Sequence, residues 1–209
     1  LDARNHAEAL YALATEQNLP HFLAVATMIK GWTLMEAGDV GKGLTLLHQG
    51  LPAWRATGAE IYEPYFLGLQ AEALGRTGQA KEGLEMVAKA LYRVDETSER
   101  WYQPELHRLA GELLLQLPTP DPKAAEAQFR QAAEIARQQG TRTWELRAVT
   151  RLAQMWVQQH RCGDAYDLLI SVYSQFTEGF ETLDLRAPRA VLREAAAYAG
   201  SHALRGVPE

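Results

Sequence analysis

The stretch Gly31-Trp-Thr-Leu-Met-Glu-Ala-Gly-Asp-Val-Gly-Lys-Gly-Leu-Thr-Leu-Leu-His-Gln-Gly50 decides the fold, because its arrangement returns in Ala71-Glu-Ala-Leu-Gly-Arg-Thr-Gly-Gln-Ala-Lys-Glu-Gly-Leu-Glu-Met-Val-Ala-Lys-Ala90. In both, a small residue (Gly31, Ala71) is followed by a leucine (Leu34, Leu74), a glycine turn (Gly38-Asp39, Gly78-Gln79), a second small residue (Gly43, Gly83) and a bulky one (Leu47, Val87). Residues three or four apart share one face of an α-helix, so each stretch reads as an amphipathic helix, a tight turn and the start of a second helix. The arrangement continues through Gly111, Leu114, Ala125 and Phe129, and again through Ala153, Trp156, Ala165 and Leu169. Each second helix adds a further member to its packed face, at Gly50, Ala90, Ala132 or Val172. Self-similarity at a fixed period of roughly 40 residues is the mark of stacked helical hairpins.

The repeat places first helices over 20–37, 61–77, 101–117 and 143–159, with partners over 41–57, 80–96, 122–139 and 163–176. The repeats then span approximately 20–57, 61–96, 101–139 and 143–176 within a single domain, 1–209. The third is longer by two residues, which fall in the turn Pro118-Thr-Pro-Asp-Pro122, where insertions are tolerated. A leading helix over 2–17 and a capping helix over approximately 186–199 complete the expected stack, since a solenoid needs covers for its apolar ends.

Small residue, bulky residue and turn at these spacings resemble the tetratricopeptide pattern, with a longer period than the family norm of about 34. The stretches Glu99-Arg-Trp-Tyr-Gln-Pro-Glu-Leu-His-Arg-Leu-Ala-Gly-Glu-Leu-Leu-Leu115, Ala125-Glu-Ala-Gln-Phe-Arg-Gln-Ala132, Glu145-Leu-Arg147 and Val172-Tyr-Ser-Gln-Phe-Thr-Glu-Gly-Phe180 sharpen the likeness. They resemble the C-terminal tetratricopeptide region of large bacterial signalling ATPases, as do Gly31-Trp32, Gly50-Leu-Pro-Ala-Trp-Arg-Ala-Thr-Gly-Ala-Glu60 and Pro64-Tyr-Phe66. The resemblance implies an all-α, right-handed α-α superhelix of about four hairpins plus the leading and capping helices. It also implies attached ATPase and output domains, the latter an adenylate/guanylate cyclase or a DNA-binding domain, whose activities are not assigned to this chain.

Composition agrees with a folded, non-membrane chain. Of 209 residues, 47% are hydrophobic and 22% charged, and no apolar run reaches spanning length. A formal net charge of -5 disfavours nucleic acid and anionic lipid, both of which call for a basic excess. The single cysteine, Cys162, precludes an internal disulfide and fits a reducing, cytoplasmic setting. Leu1 opens into helix-like sequence with neither a methionine nor a signal pattern, so a piece of a longer chain is expected.

Gly38-Asp-Val-Gly-Lys-Gly43 superficially matches a phosphate loop, yet Glu36 stands where the motif needs glycine and Gly43 where it needs serine or threonine. His6, His21, His48, His107, His160 and His202 show no metal-ligand spacing, and no nucleophile motif stands out. The carboxylates Asp95, Glu96, Glu60 and Glu63 read as helix-end charges. No enzyme activity, cofactor or metal is therefore expected.

What remains is the concave surface that first helices line in such repeats. Counting from each small anchor, its candidate binding residues are Met28 and Trp32, then Tyr65, Glu72 and Arg76, then Glu105, Arg108 and Glu112, then Arg147 and Gln154. The first pair is apolar, and core packing is the competing reading for both, as for neighbouring Met35. The others form a strip of carboxylates, guanidinium groups and amides suited to oriented hydrogen bonding, with a plain intrahelical Arg108–Glu112 pair as the competing reading. The expected partner is a protein or peptide segment or a small-molecule signal. A structural module that forms a homodimer and binds nothing in the groove is the alternative. Trp54, Trp101, Trp144 and Trp156 are expected to hold hairpins together.

Overall fold

The computed structural model describes residues 3–203, with side chains through residue 197. The expected start of the leading helix at Asp2 and the side chain of His202 lie outside the described residues. Among the described residues there are ten helices and no strand: α1 Ala3–Glu16, α2 Pro20–Glu36, α3 Val40–Arg55, α4 Glu63–Arg76, α5 Ala80–Thr97, α6 Gln103–Gln116, α7 Pro122–Gln138, α8 Arg142–Gln158, α9 Cys162–Tyr173 and α10 Leu183–Ala203. They fall into two compact units. Unit 1 comprises 1–102 with 116–120, and unit 2 comprises 103–115 with 121–209.

Three of the hairpin turns close by the same chemistry. The backbone N–H of Asp39 donates to the Leu34 carbonyl (2.9 Å), that of Gln79 to Leu74 (2.8 Å) and that of Arg161 to Trp156 (2.8 Å). One residue earlier the chain is left-handed, at Gly38 (φ +93°), Gly78 (φ +79°) and His160 (φ +63°), a conformation in which a Cβ is disfavoured and glycine costs least. Asp39 and Asp121 then cap α3 and α7 by accepting from the N–H groups of Lys42 and Ala124.

In unit 1, α2 and α3 approach at Gly31 and Gly43, where a Cβ on Gly43 would lie 2.6 Å from the Gly31 carbonyl oxygen. Such proximity holds only for hydrogen side chains. Leu47, Leu51 and Trp54 of α3 are buried in this unit, as are Ala71, Leu74, Val87 and Ala90 of α4 and α5. In unit 2 the core joins Ala125, Phe129 and Ala132 of α7 to Leu146, Leu152, Ala153 and Trp156 of α8 and Ala165, Leu169 and Val172 of α9. Cys162, at the start of α9, is a free, buried thiol within that core.

The last helix starts earlier than its expected position near 186. Its buried stripe already begins at Leu185 and continues through Pro188, Val191, Leu192 and Ala195, and the Thr182 carbonyl accepts from the Leu185 and Arg186 N–H groups. Pro188 lies inside α10, in its second turn, so the Asp184 carbonyl receives no N–H from that position. Across two of the loops that join hairpins, an arginine ending one helix grips a buried glutamate opening the next. Arg55 pairs with Glu63, which Arg93 also contacts at 2.8 Å, and Arg137 pairs with Glu145 at 2.9 Å.

Candidate functional site

Five of the expected binding residues lie in unit 1. Met28 does not line a groove: it is fully buried between α2 and α3, because Gly50 has no Cβ and leaves room for its side chain. Met35 is buried over Gly43 in the same way, so the core reading holds for both methionines. Trp32 is half-buried on α2. Tyr65 belongs to an aromatic cluster, with ring centroids 5.6 Å from Trp101 and 5.0 Å from Tyr102. Burial raises its hydroxyl pKa, and the Glu72 charge adds to the effect. Arg76 ties α4 to α2, donating to Glu72 at 2.6 Å and to Glu36 at 2.9 Å. Burial works to lower its pKa, but the two carboxylates outweigh it and the net shift is upward.

The other five lie in unit 2 and belong to one network. Glu105 is 2% exposed and accepts from Arg108 Nε at 3.1 Å and from Arg147 at 3.5 Å. Arg108 also donates to Glu112 at 2.5 Å, so the intrahelical pair exists but is part of something larger. From α8, Arg151 Nε comes within 2.7 Å of Glu112 without the direction of a hydrogen bond, while its Nη1 donates to Gln154 at 2.7 Å. Arg147 holds Asp184 of α10 with two hydrogen bonds of 2.7 and 2.9 Å. Those bonds raise its pKa, although burial works the other way. Three guanidinium groups thus face three carboxylates, Glu105, Glu112 and Asp184, and the cluster carries no net formal charge.

This network walls a pocket of about 290 Å³. Arg108, Arg147, Arg151, Thr150 and Gln154 supply its polar side, and Leu183, Ala187 and Pro188 of α10 its apolar side. Arg151, Asp184 and the α10 wall were absent from the sequence reading. Counting from the α8 anchor selects the groove-facing positions of one helix, whereas α10 is brought to that helix only by folding.

Unit 1 holds a second surface that the sequence reading missed. Around the loop from Gly58 to Tyr62 lies an apolar hollow of about 540 Å³, walled by Phe22, Val25, Trp54, Ile61 and Phe66. His21 stands at its edge, with Nδ1 3.2 Å from Thr57 Oγ1. Trp101, expected to hold hairpins together, is 38% exposed beside this loop.

Among the described residues no group of three or more His, Cys, Asp or Glu side chains could hold a metal ion. Among them, too, no helix is long and apolar enough to cross a membrane.

No protein-family model matches the chain. An uncharacterized protein of Rhizobium meliloti (strain 1021) is 30% identical over 122 residues, which is 58% of this chain and 12% of that protein. The chain therefore spans a small part of the length of the curated relative it matches. Among solved structures, a kinesin light chain of Podosopora anserina with nearly identical TPR-like repeats is similar at 18% identity and a TM-score of 0.63, over 84% of this chain and 86% of that one. BtubC (BKLC) from P. vanneervenii is similar at 14% identity and a TM-score of 0.68, over 99% of this chain and 91% of that one. With the helices and turns above, these likenesses establish the fold as an all-helical, tetratricopeptide-like repeat.

Proposed function

We propose that the chain is a non-catalytic recognition module that binds a protein or peptide segment, or a small-molecule signal, at the pocket between α6, α8 and α10. The observation that carries this reading is the pocket's make-up, in which guanidinium, amide and hydroxyl groups are held by a neutral ion-pair network against an apolar wall. Fixed donors of this kind suit the neutral carbonyls of a peptide better than an anion, since their charge is already compensated. The network would also keep the ordering cost of binding low, because the side chains are positioned in advance.

In the wider reading, residues 1–209 form one repeat domain that regulates attached ATPase and output domains of a longer bacterial signalling protein in the cytoplasm. The size of the Rhizobium meliloti relative supports a place within a longer chain, and the sequence resemblance supports the ATPase setting.

The test is thermal unfolding of the wild type and of an Arg147→Ala, Gln154→Ala double variant against a peptide and metabolite panel. At a ligand concentration about 100 times Kd, a bound ligand stabilises by about 2.7 kcal/mol, which is readily seen as a raised midpoint. A ligand that shifts the wild type but not the variant supports the pocket. Equal shifts, or none across the panel, would overturn it. A mass that rises with concentration in the absence of any shift would favour the homodimeric scaffold. ATP hydrolysis by the full-length parent should respond to the same ligand, and an unchanged rate would count against the regulatory setting.

A further inference from the structure

In unit 1 the loop joining α3 to α4 separates two hollows that share Glu60, Ile61 and Tyr62. The first is the apolar hollow, and its rim is open to solvent, with Phe22 50% and Ile61 66% exposed. The second, also about 540 Å³, is lined by the rings of Tyr62 and Trp101 and by three carboxylates, Glu60, Glu96 and Glu99. No lysine or arginine is among the residues lining either hollow.

The aromatic walls are fixed in place. Tyr62 is left-handed (φ +72°), an uncommon conformation for a residue with a side chain, and Glu99 holds it by accepting from its backbone N–H at 2.9 Å. Glu99 also accepts from Trp101 Nε1 at 2.7 Å. The Tyr62 and Trp101 rings meet edge to face with centroids 5.9 Å apart. Glu96 accepts from Tyr92 and Arg93, whereas Glu60 is exposed and has no ion-pair partner among the described residues.

Large apolar side chains left in solvent around a concave surface mark an interaction site. Carboxylates beside an apolar wall favour a cation, and so do the faces of tyrosine and tryptophan. We propose that this surface docks a short peptide segment in which a bulky apolar side chain is followed within a few residues by lysine or arginine. The apolar side chain enters the first hollow, and the cation lies by the Tyr62 and Trp101 rings among Glu60, Glu96 and Glu99. Acidic segments and anionic lipid surfaces are repelled. The site is in the other unit from the polar pocket and differs in chemistry, so each reading can fail without the other.

The test uses the full chain and fluorescein-labelled heptapeptides read by anisotropy. One peptide carries Phe with Arg three positions later. Two controls replace the Phe with Ser or the Arg with Glu. The Phe/Arg peptide should bind at least about tenfold more tightly than either control, as expected where an anchor residue dominates an interface. Its binding should weaken as salt is raised, because the contribution of exposed charges is screened. Glu60→Lys and Phe22→Ser change exposed side chains and should leave the thermal midpoint in place, yet each should weaken this peptide about tenfold. Equal affinity for the controls, no binding, or variants that bind like the wild type would overturn the proposal. So would a concentration-dependent dimer lost in Phe22→Ser, which would make the occupant a second copy of the chain.

Discussion

His107 sits partly buried on α6, with Nδ1 2.8 Å from Gln128 Oε1. Burial holds its pKa below the ordinary value of 6.5, and the Gln128 hydrogen bond only partly opposes this. The unfolded chain therefore takes up a proton at this residue before the folded chain does. Stability contributed by the neutral imidazole is fully present above the unfolded value and is lost as pH falls from there through the lower folded value. The urea midpoint should accordingly be lower at about pH 5.5 than at about pH 7.5, and His107→Gln should reduce that difference. An unchanged difference in the variant would assign the pH dependence to other groups. Little at this scale was legible in the sequence. Met28 and Arg108 stand at equivalent kinds of helix position, yet one is sealed beneath Gly50 and the other walls a pocket. What covers a side chain is decided by a partner helix, and the periodicity of its own helix does not identify that partner.

Helices and turns were far more legible, because their signals are local. Prolines near the starts of α2, α4, α6 and α7, and glycines in the turns after α2 and α4, set boundaries within a few residues. The small anchors also carry meaning at this scale, since Gly31 and Gly43 fix how closely α2 and α3 pack. Gly43→Ala gains up to about 1 kcal/mol in helix propensity. The new methyl, however, would meet the Gly31 carbonyl oxygen at 2.6 Å, and backbone cannot step aside as a flexible side chain can. Overpacking of this kind costs about 1–3 kcal/mol, so net destabilisation is expected and thermal or urea unfolding will measure it. Gly41→Ala, at a position with open space, is the control and should be neutral or slightly stabilising. The loop between α3 and α4 shows the limit of local signals. Its own residues do not mark a surface, because its neighbours Phe22, Trp54 and Trp101 lie far from it or from each other in the chain.

The repeat period made the all-helical class readable for the whole molecule, since one hairpin cannot cover its own apolar face. The proposal of one repeat domain across both compact units predicts a single urea transition, followed alike by helical signal and tryptophan fluorescence. Trp32, Trp54 and Trp101 report on unit 1, and Trp144 and Trp156 on unit 2. Two separated transitions would instead make the units independent domains. Of the candidate sites, the polar strip was half legible, because α6 and α8 each present it on one face. The α10 wall and the unit 1 hollows depend on chain segments brought together only by folding. Cys162 has a practical consequence on this scale. The chain's only thiol is buried, so a cysteine introduced at an exposed position such as Thr97 should react with maleimide well ahead of it. The native sequence thus already provides a background for attaching a single fluorophore or spin label beside either surface.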